Sequence, residues 1–210
     1  MTEPLELLSS EGVVLEAEIA PGVGAERAAM VLCHPHPQFG GTMRSLVIST
    51  LFSALPAAGV TCLRFNFRGV ESSTGAYDEG RSECDDVRAA VRELVDRSDA
   101  PLVLTGWSFG ADMALSVPDH AIAGWLAIAP PLRFASAGVE LATDLRPKHL
   151  ALAEHDEFRA PAEVVAQTNA WTATTVEIVP GASHFFVGST DHLVAAAQAF
   201  VERVALPGST

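Results

Sequence analysis

Positive charge is in short supply in this chain. Lysine and arginine together number 13 against 26 aspartates and glutamates, which leaves a formal net charge of −13 with no basic cluster. Such a balance repels phosphate backbones and argues against a nucleic-acid partner; its simplest role is to keep the protein soluble. Cysteine is also scarce. Cys33, Cys62 and Cys84 are odd in number and widely spaced, with no Cys-x-x-Cys pair, a pattern that fits neither a disulfide framework nor a zinc site. Cys33 and Cys62 stand in apolar runs and read as buried thiols. Long apolar runs are missing too: the longest nearly uncharged one, residues 121–132, includes Pro130 and Pro131 and is too short to span a bilayer. The first eleven residues hold Glu3 and Glu6 and no basic segment ahead of an apolar core, so no secretory signal is expected. A soluble, cytoplasmic protein without membrane contact is the expectation. Repeats, low-complexity tracts and linker-like stretches are lacking as well, and residues 1–210 are expected to form a single domain. Gly22-Val23-Gly24 has no third glycine at the right spacing and reads as a turn, not a dinucleotide fingerprint.

What is present is globular: 49% of residues are hydrophobic and 19% charged, which rules against wholesale disorder. Strand-like and helix-like segments alternate, the pattern of a mostly parallel sheet with helices on both faces. Two short runs, Leu5 to Leu8 and Val13 to Ile19, read as an antiparallel hairpin. Further strands are expected at 28–33, 61–67, 101–105, 122–129, 149–153 and 174–179, making eight. Helices are expected at 45–58, 82–97, 108–115, 160–170 and 191–204. The segment 82–97 is the clearest of them. Val87, Val91, Leu94 and Val95 form its apolar stripe, and Glu83, Asp85 and Asp86 stand near its N-terminus, where the helix dipole favours negative charge.

In open α/β sheets the ligand crevice lies at the carboxyl ends of the strands. Four loops leave such ends carrying polar residues. Gly106-Trp107-Ser108-Phe109-Gly110 joins the strand Leu102-Val103-Leu104 to a helix-forming run. A serine is a poor nucleophile until it is exposed and paired with a base, and a sharp strand-to-helix turn flanked by glycines exposes it. Asp156, in Glu154-His155-Asp156-Glu157, follows a strand and suits the carboxylate that orients a catalytic imidazole, with Glu157 as the fallback. His184 lies in a loop after the last strand and is the candidate base; His120 and His192 are placed away from the crevice. The fourth loop, His34-Pro35-His36-Pro37-Gln38-Phe39-Gly40-Gly41, faces the serine turn. An oxyanion hole needs two N–H donors. Phe109 offers one; Pro35 and Pro37 have none, so His36, Gln38 or Phe39 supplies the other, and His36 is favoured. The two histidines of this loop are read as parts of a rigid turn, with no metal site.

These motifs in combination resemble a family of small, capless bacterial α/β-hydrolases related to dienelactone hydrolases. The resemblance rests on His34-Pro35-His36-Pro37 through Gly40-Gly41-Thr42-Met43, Arg64-Phe65-Asn66-Phe67-Arg68-Gly69-Val70, Gly106-Trp107-Ser108-Phe109-Gly110-Ala111 and Gly181-Ala182-Ser183-His184-Phe185-Phe186. It spans residues 11 to 205 and implies the α/β-hydrolase fold without a cap domain, with Ser108 as nucleophile, Asp156 as triad acid and His184 as base. The order Ser, Asp, His is that of α/β-hydrolases. Dienelactone hydrolases use a cysteine where this chain has Ser108. Where the family continues Arg-Gly-Val with glycine, this chain has Glu71, which bears on the loop beside the crevice. The expected activity is hydrolysis of a small ester or thioester through an acyl-serine, without cofactor, in a crevice edged by Phe39, Trp107, Phe185 and Leu132. A related acyltransferase or peptidase, or a binding protein that keeps the fold without catalysis, are the alternatives.

Overall fold

The computed structural model describes residues 2–134 and 138–205. Eight strands form one sheet: β1 (Glu3–Leu8), β2 (Val14–Ala20), β3 (Ala28–Cys33), β4 (Val60–Phe65), β5 (Leu102–Trp107), β6 (Ile122–Ile128), β7 (Lys148–His155) and β8 (Thr174–Ser183). Their order is β1-β2-β4-β3-β5-β6-β7-β8. β1 pairs with β2, and β2 with β4, antiparallel; every other pair is parallel. Among the described residues six α-helices accompany them: α1 (Leu46–Ala54), α2 (Glu83–Arg97), α3 (Phe109–Leu115), α4 (Gly138–Thr143), α5 (Pro161–Thr168) and α6 (Thr190–Ala205).

The sheet has a hydrophobic core on each face. Ala29, Val31 and Cys33 of β3 join the core under α2 and α3, while Ala28, Met30 and Leu32 join the core under α1 and α6. A strand buried on both faces needs apolar residues at every position, which is why β3 reads Ala-Ala-Met-Val-Leu-Cys without alternation. Cys62 and Cys84 are buried like Cys33. Among the described residues no helix is long and apolar enough to cross a membrane.

Several boundaries differ from the sequence reading for physical reasons. The first long helix stops at Ala54, because Pro56 lacks the N–H that would continue it, and Leu55–Ala58 forms a 3-10 turn. β4 ends at Phe65, opposite Cys33, the last residue of its partner β3, although the Asn66 N–H still donates to the Glu16 carbonyl. β5 and β8 run longer than expected, because pairing continues to Trp107↔Ile128 and to His155↔Ser183. Helix α4, absent from the sequence reading, buries Leu141. In α2, Val95 turns out to solvent at 46% exposure, and Cys84 and Ala90 take its place in the buried stripe.

The acids at the start of α2 are not all solvated dipole partners. Glu83 and Asp86 are fully buried. The Glu83 carboxylate accepts the N–H groups of Asp78 and Gly80. Asp86 takes the Arg68 guanidinium at 2.7 Å and the Ser9 hydroxyl at 2.6 Å, tying the loop after β4 to α2 and to the hairpin turn. Breaking a buried pair leaves an uncompensated charge, so Arg68→Met should cost about 3–5 kcal/mol of stability. Urea unfolding measures this; a loss below about 1 kcal/mol would mean that the pair does not anchor the loop.

Candidate active site

β5 passes directly into α3, and the residue between them is Ser108. Its φ of 55° and ψ of −122° lie outside the regions that L-residues ordinarily occupy. Such strain persists only where the surroundings enforce it. Two glycines allow the turn. A Cβ on Gly106 would stand 2.5 Å from Ala111 N and closer still to the Gly110 carbonyl oxygen; one on Gly110 would stand 2.5 Å from the His34 carbonyl oxygen and closer to that of Cys33.

His184 follows the last residue of β8, and Asp156 the last residue of β7, so both arrive at the same end of the sheet as Ser108. The His184 imidazole bridges the other two: Nε2 lies 2.9 Å from Ser108 Oγ, and Nδ1 lies 2.7 Å from Asp156 Oδ2. An ionised carboxylate only accepts, so Nδ1 carries the proton and Nε2 offers its lone pair to the Ser108 hydroxyl. Burial alone would raise the Asp156 pKa. The His184 ring N–H and the backbone N–H groups of Arg159 and Phe158 outweigh it, holding the carboxyl below its ordinary value and ionised. Glu157, the fallback acid, instead accepts the backbone N–H of His184 at 3.1 Å. The indole N–H of Trp107 donates to the His184 carbonyl at 3.1 Å, and the Phe158 ring packs 4.6 Å from the imidazole.

The loop after β3 faces this group. His34 is buried and neutral: its Nδ1–H donates to the Pro35 carbonyl, its Nε2 accepts the Phe67 N–H at 3.0 Å, and burial lowers its pKa to about 4. With both ring nitrogens engaged, His34 is a strut for the loop. His36 Nδ1 accepts the Gln38 N–H, so the proton sits on Nε2, 3.1 Å from the Tyr77 hydroxyl. The Phe39 N–H donates to the His36 carbonyl. Gln38 and Phe39 therefore use their N–H groups inside the loop. Of the three candidate donors, His36 is the one whose N–H is not used there. Phe109, the first residue of α3, has an N–H with no acceptor inside its helix. Among the described residues no group of three or more histidine, cysteine, aspartate or glutamate side chains is arranged to hold a metal ion.

Around Ser108 lies a cleft with a cavity volume of ≈ 620 Å³. Phe39, Trp107 and Phe185 line it, joined by Phe109, Phe134 and Phe158. Leu132 does not; it is 9% exposed and belongs to the core, while Pro131, Arg133 and Phe134 form that wall. Glu71 is also outside the cleft. Its carboxylate binds Arg44 and Asn66, and its φ of 47° is one that glycine takes without strain.

Comparison with known proteins bears on the family and the fold. A family described as an alpha/beta hydrolase domain matches residues 26–205. The chain belongs to the α/β-hydrolase family. An α/β serine hydrolase homologue from Coxiella burnetii is 33% identical, covers 96% of each chain and superposes with a TM-score of 0.80. A lidless α/β serine hydrolase from Xanthomonas campestris is 29% identical over 99% of this chain and 96% of its own, with a TM-score of 0.84. An uncharacterised protein of Rickettsia prowazekii is 34% identical over 125 residues, 56% of this chain and 51% of its own. The chain thus spans about half the length of that curated relative. Like the Xanthomonas protein, this α/β-hydrolase has no cap domain over its cleft among the described residues.

One residue that shapes the hydrolase cleft escaped the sequence reading. Asp112 lies on α3, fully buried, and its carboxylate accepts three consecutive N–H groups, those of Leu132 at 2.8 Å, Arg133 at 2.8 Å and Phe134 at 3.0 Å. It holds the cleft wall after β6, where Leu132 has a φ of 52°. The available signal was an acid inside the otherwise apolar run Gly110-Ala111-Asp112-Met113-Ala114-Leu115. Asp112→Ala strands three donors, each costing about 1–3 kcal/mol if left buried, so the unfolding midpoint should fall well below that of the wild type. Burial pushes the Asp112 carboxyl up to about 6 against the pull of these N–H groups. An unfolded aspartate titrates near about 4, so between these values the folded state holds a proton that the unfolded state has lost. Stability from this group therefore rises as pH falls through that window. Relative to Asp112→Asn, the wild type should gain stability between pH 7 and pH 4.5; a difference that does not change with pH would refute the assignment.

Proposed function

We propose that the chain is a serine hydrolase that cleaves small esters or thioesters through an acyl-serine intermediate, residues 1–210 acting as one domain. The observation that carries this reading is the continuous hydrogen-bonded line from Ser108 Oγ through His184 to Asp156. Ser108 Oγ attacks the carbonyl carbon while its proton passes to His184 Nε2. The imidazolium that forms is stabilised by Asp156, which keeps its own charge. Negative charge developing on the carbonyl oxygen is met by the N–H groups of Phe109 and His36. His184 then gives its proton to the leaving alcohol or thiol, and the acyl group stays on Ser108. A water deprotonated by His184 attacks this acyl-serine; the acid leaves and Ser108 regains its proton. The aromatic lining supports apolar acyl or leaving groups of modest size.

Hydrolysis of 4-nitrophenyl acetate and butyrate tests the reading. Ser108→Ala and His184→Ala should each lose at least about 10³-fold in kcat/KM, since the residues act as a unit. A fluorophosphonate probe should label the wild type at one site and leave Ser108→Ala unlabelled. Equal turnover by wild type and Ser108→Ala, or no labelling of the wild type, would overturn it; the latter result is the one expected of a non-catalytic binding protein.

A further inference from the structure

The cleft is apolar with one exception in formal charge. Of the described side chains that line it, Arg133 alone bears a permanent charge. In this acidic chain most cations are neutralised locally: Arg44, Arg64, Arg68, Arg81 and Arg146 all lie against carboxylates. Among the described residues no carboxylate approaches the Arg133 guanidinium within 4.0 Å. Among the described residues its one side-chain bond is from Nη2 to the carbonyl oxygen of Phe158 at 3.3 Å. That bond joins the wall after β6 to the loop whose Phe158 ring packs against His184.

The placement is enforced from behind. Asp112 draws three successive backbone N–H groups toward the core, and the backbone on either side of Arg133 is fixed with it. Phe134 packs its ring 5.2 Å from that of Phe109, beside the serine turn. The guanidinium is thus an exposed, oriented cation at the wall of an aromatic cleft, with most of its five N–H donors without a partner among the described residues. A guanidinium fork matches a carboxylate in a bidentate pair.

We propose that Arg133 is a specificity-determining residue that binds a carboxylate on the substrate, so that the preferred substrates are half-esters or half-thioesters carrying one free carboxylate. The proposal rests on Ser108 acting as proposed above. Charge selects a monoanion over a carrier with several phosphates: one guanidinium balances one carboxylate, while a polyanion meets a chain of net charge −13.

The test compares 4-nitrophenyl hydrogen glutarate with the neutral 4-nitrophenyl pentanoate. In the wild type kcat/KM should favour the half-ester, and added salt should narrow the preference. Arg133→Gln should lower the ratio of the two kcat/KM values by about 10- to 100-fold, mainly through KM, and Arg133→Lys should restore part of it. Binding of the half-ester to Ser108→Ala, which removes the nucleophile, provides a second readout. There, adding Arg133→Gln should weaken affinity tenfold or more, and this arm reports on Arg133 even if the wild type does not turn over. An unchanged ratio together with unchanged affinity overturns the proposal. So does a wild-type preference for glutaryl-coenzyme A that Arg133→Gln abolishes while the half-ester is untouched, because the guanidinium would then serve a phosphate. Loss of turnover on both esters with the affinity difference intact overturns the reading of Ser108 and leaves that of Arg133 standing.

Discussion

Helix α3 begins so close to the end of β3 that one methyl group on Gly110 would overlap the carbonyl oxygens of Cys33 and His34. That approach ties two loops together at once. On one side it turns the chain at Ser108 and leaves the Phe109 N–H at a free helix start. On the other it brings up the loop that holds His36. Both candidate oxyanion donors are therefore placed by a single backbone contact, and a larger residue at position 110 would push them apart.

The loops at the carboxyl ends of the strands are tied down by buried polar groups. His34 takes the Phe67 N–H, Glu83 those of Asp78 and Gly80, Asp86 that of Arg68, and Asp112 those of Leu132, Arg133 and Phe134. A buried acceptor is tolerable only when its hydrogen bonds are made, and a loop N–H facing the core needs such a partner. Each side removes the penalty of the other. Irregular backbone can then sit against an apolar core in one conformation, which a site that relies on distances near 3 Å requires.

Much of this was legible in the sequence because two signals are local. A strand buried on both faces is a continuous apolar run, and β3 was read at its observed limits, Ala28 to Cys33. Ser108, Asp156 and His184 each follow a strand within a residue or so, and the parallel topology brings such positions to one edge. What could not be read depends on direction, not type. Leu132 stands in the expected loop, yet its backbone N–H faces Asp112 and its side chain joins the core, leaving the cleft to its neighbours. Val95 fits the helical stripe of α2 but is 46% exposed. Asp112 and Glu83 look like ordinary helix acids; only the arriving loops reveal them as acceptors.

The grip of Asp112 falls on backbone N–H groups, which every residue but proline possesses. The shape of that wall is therefore nearly indifferent to which side chains it displays. Positions 133 and 134 can change identity by single substitutions while the backbone beneath them keeps its course. A lidless cleft built this way separates the backbone that gives its wall a shape from the side chains that give it a chemical character, so the second can vary without the first.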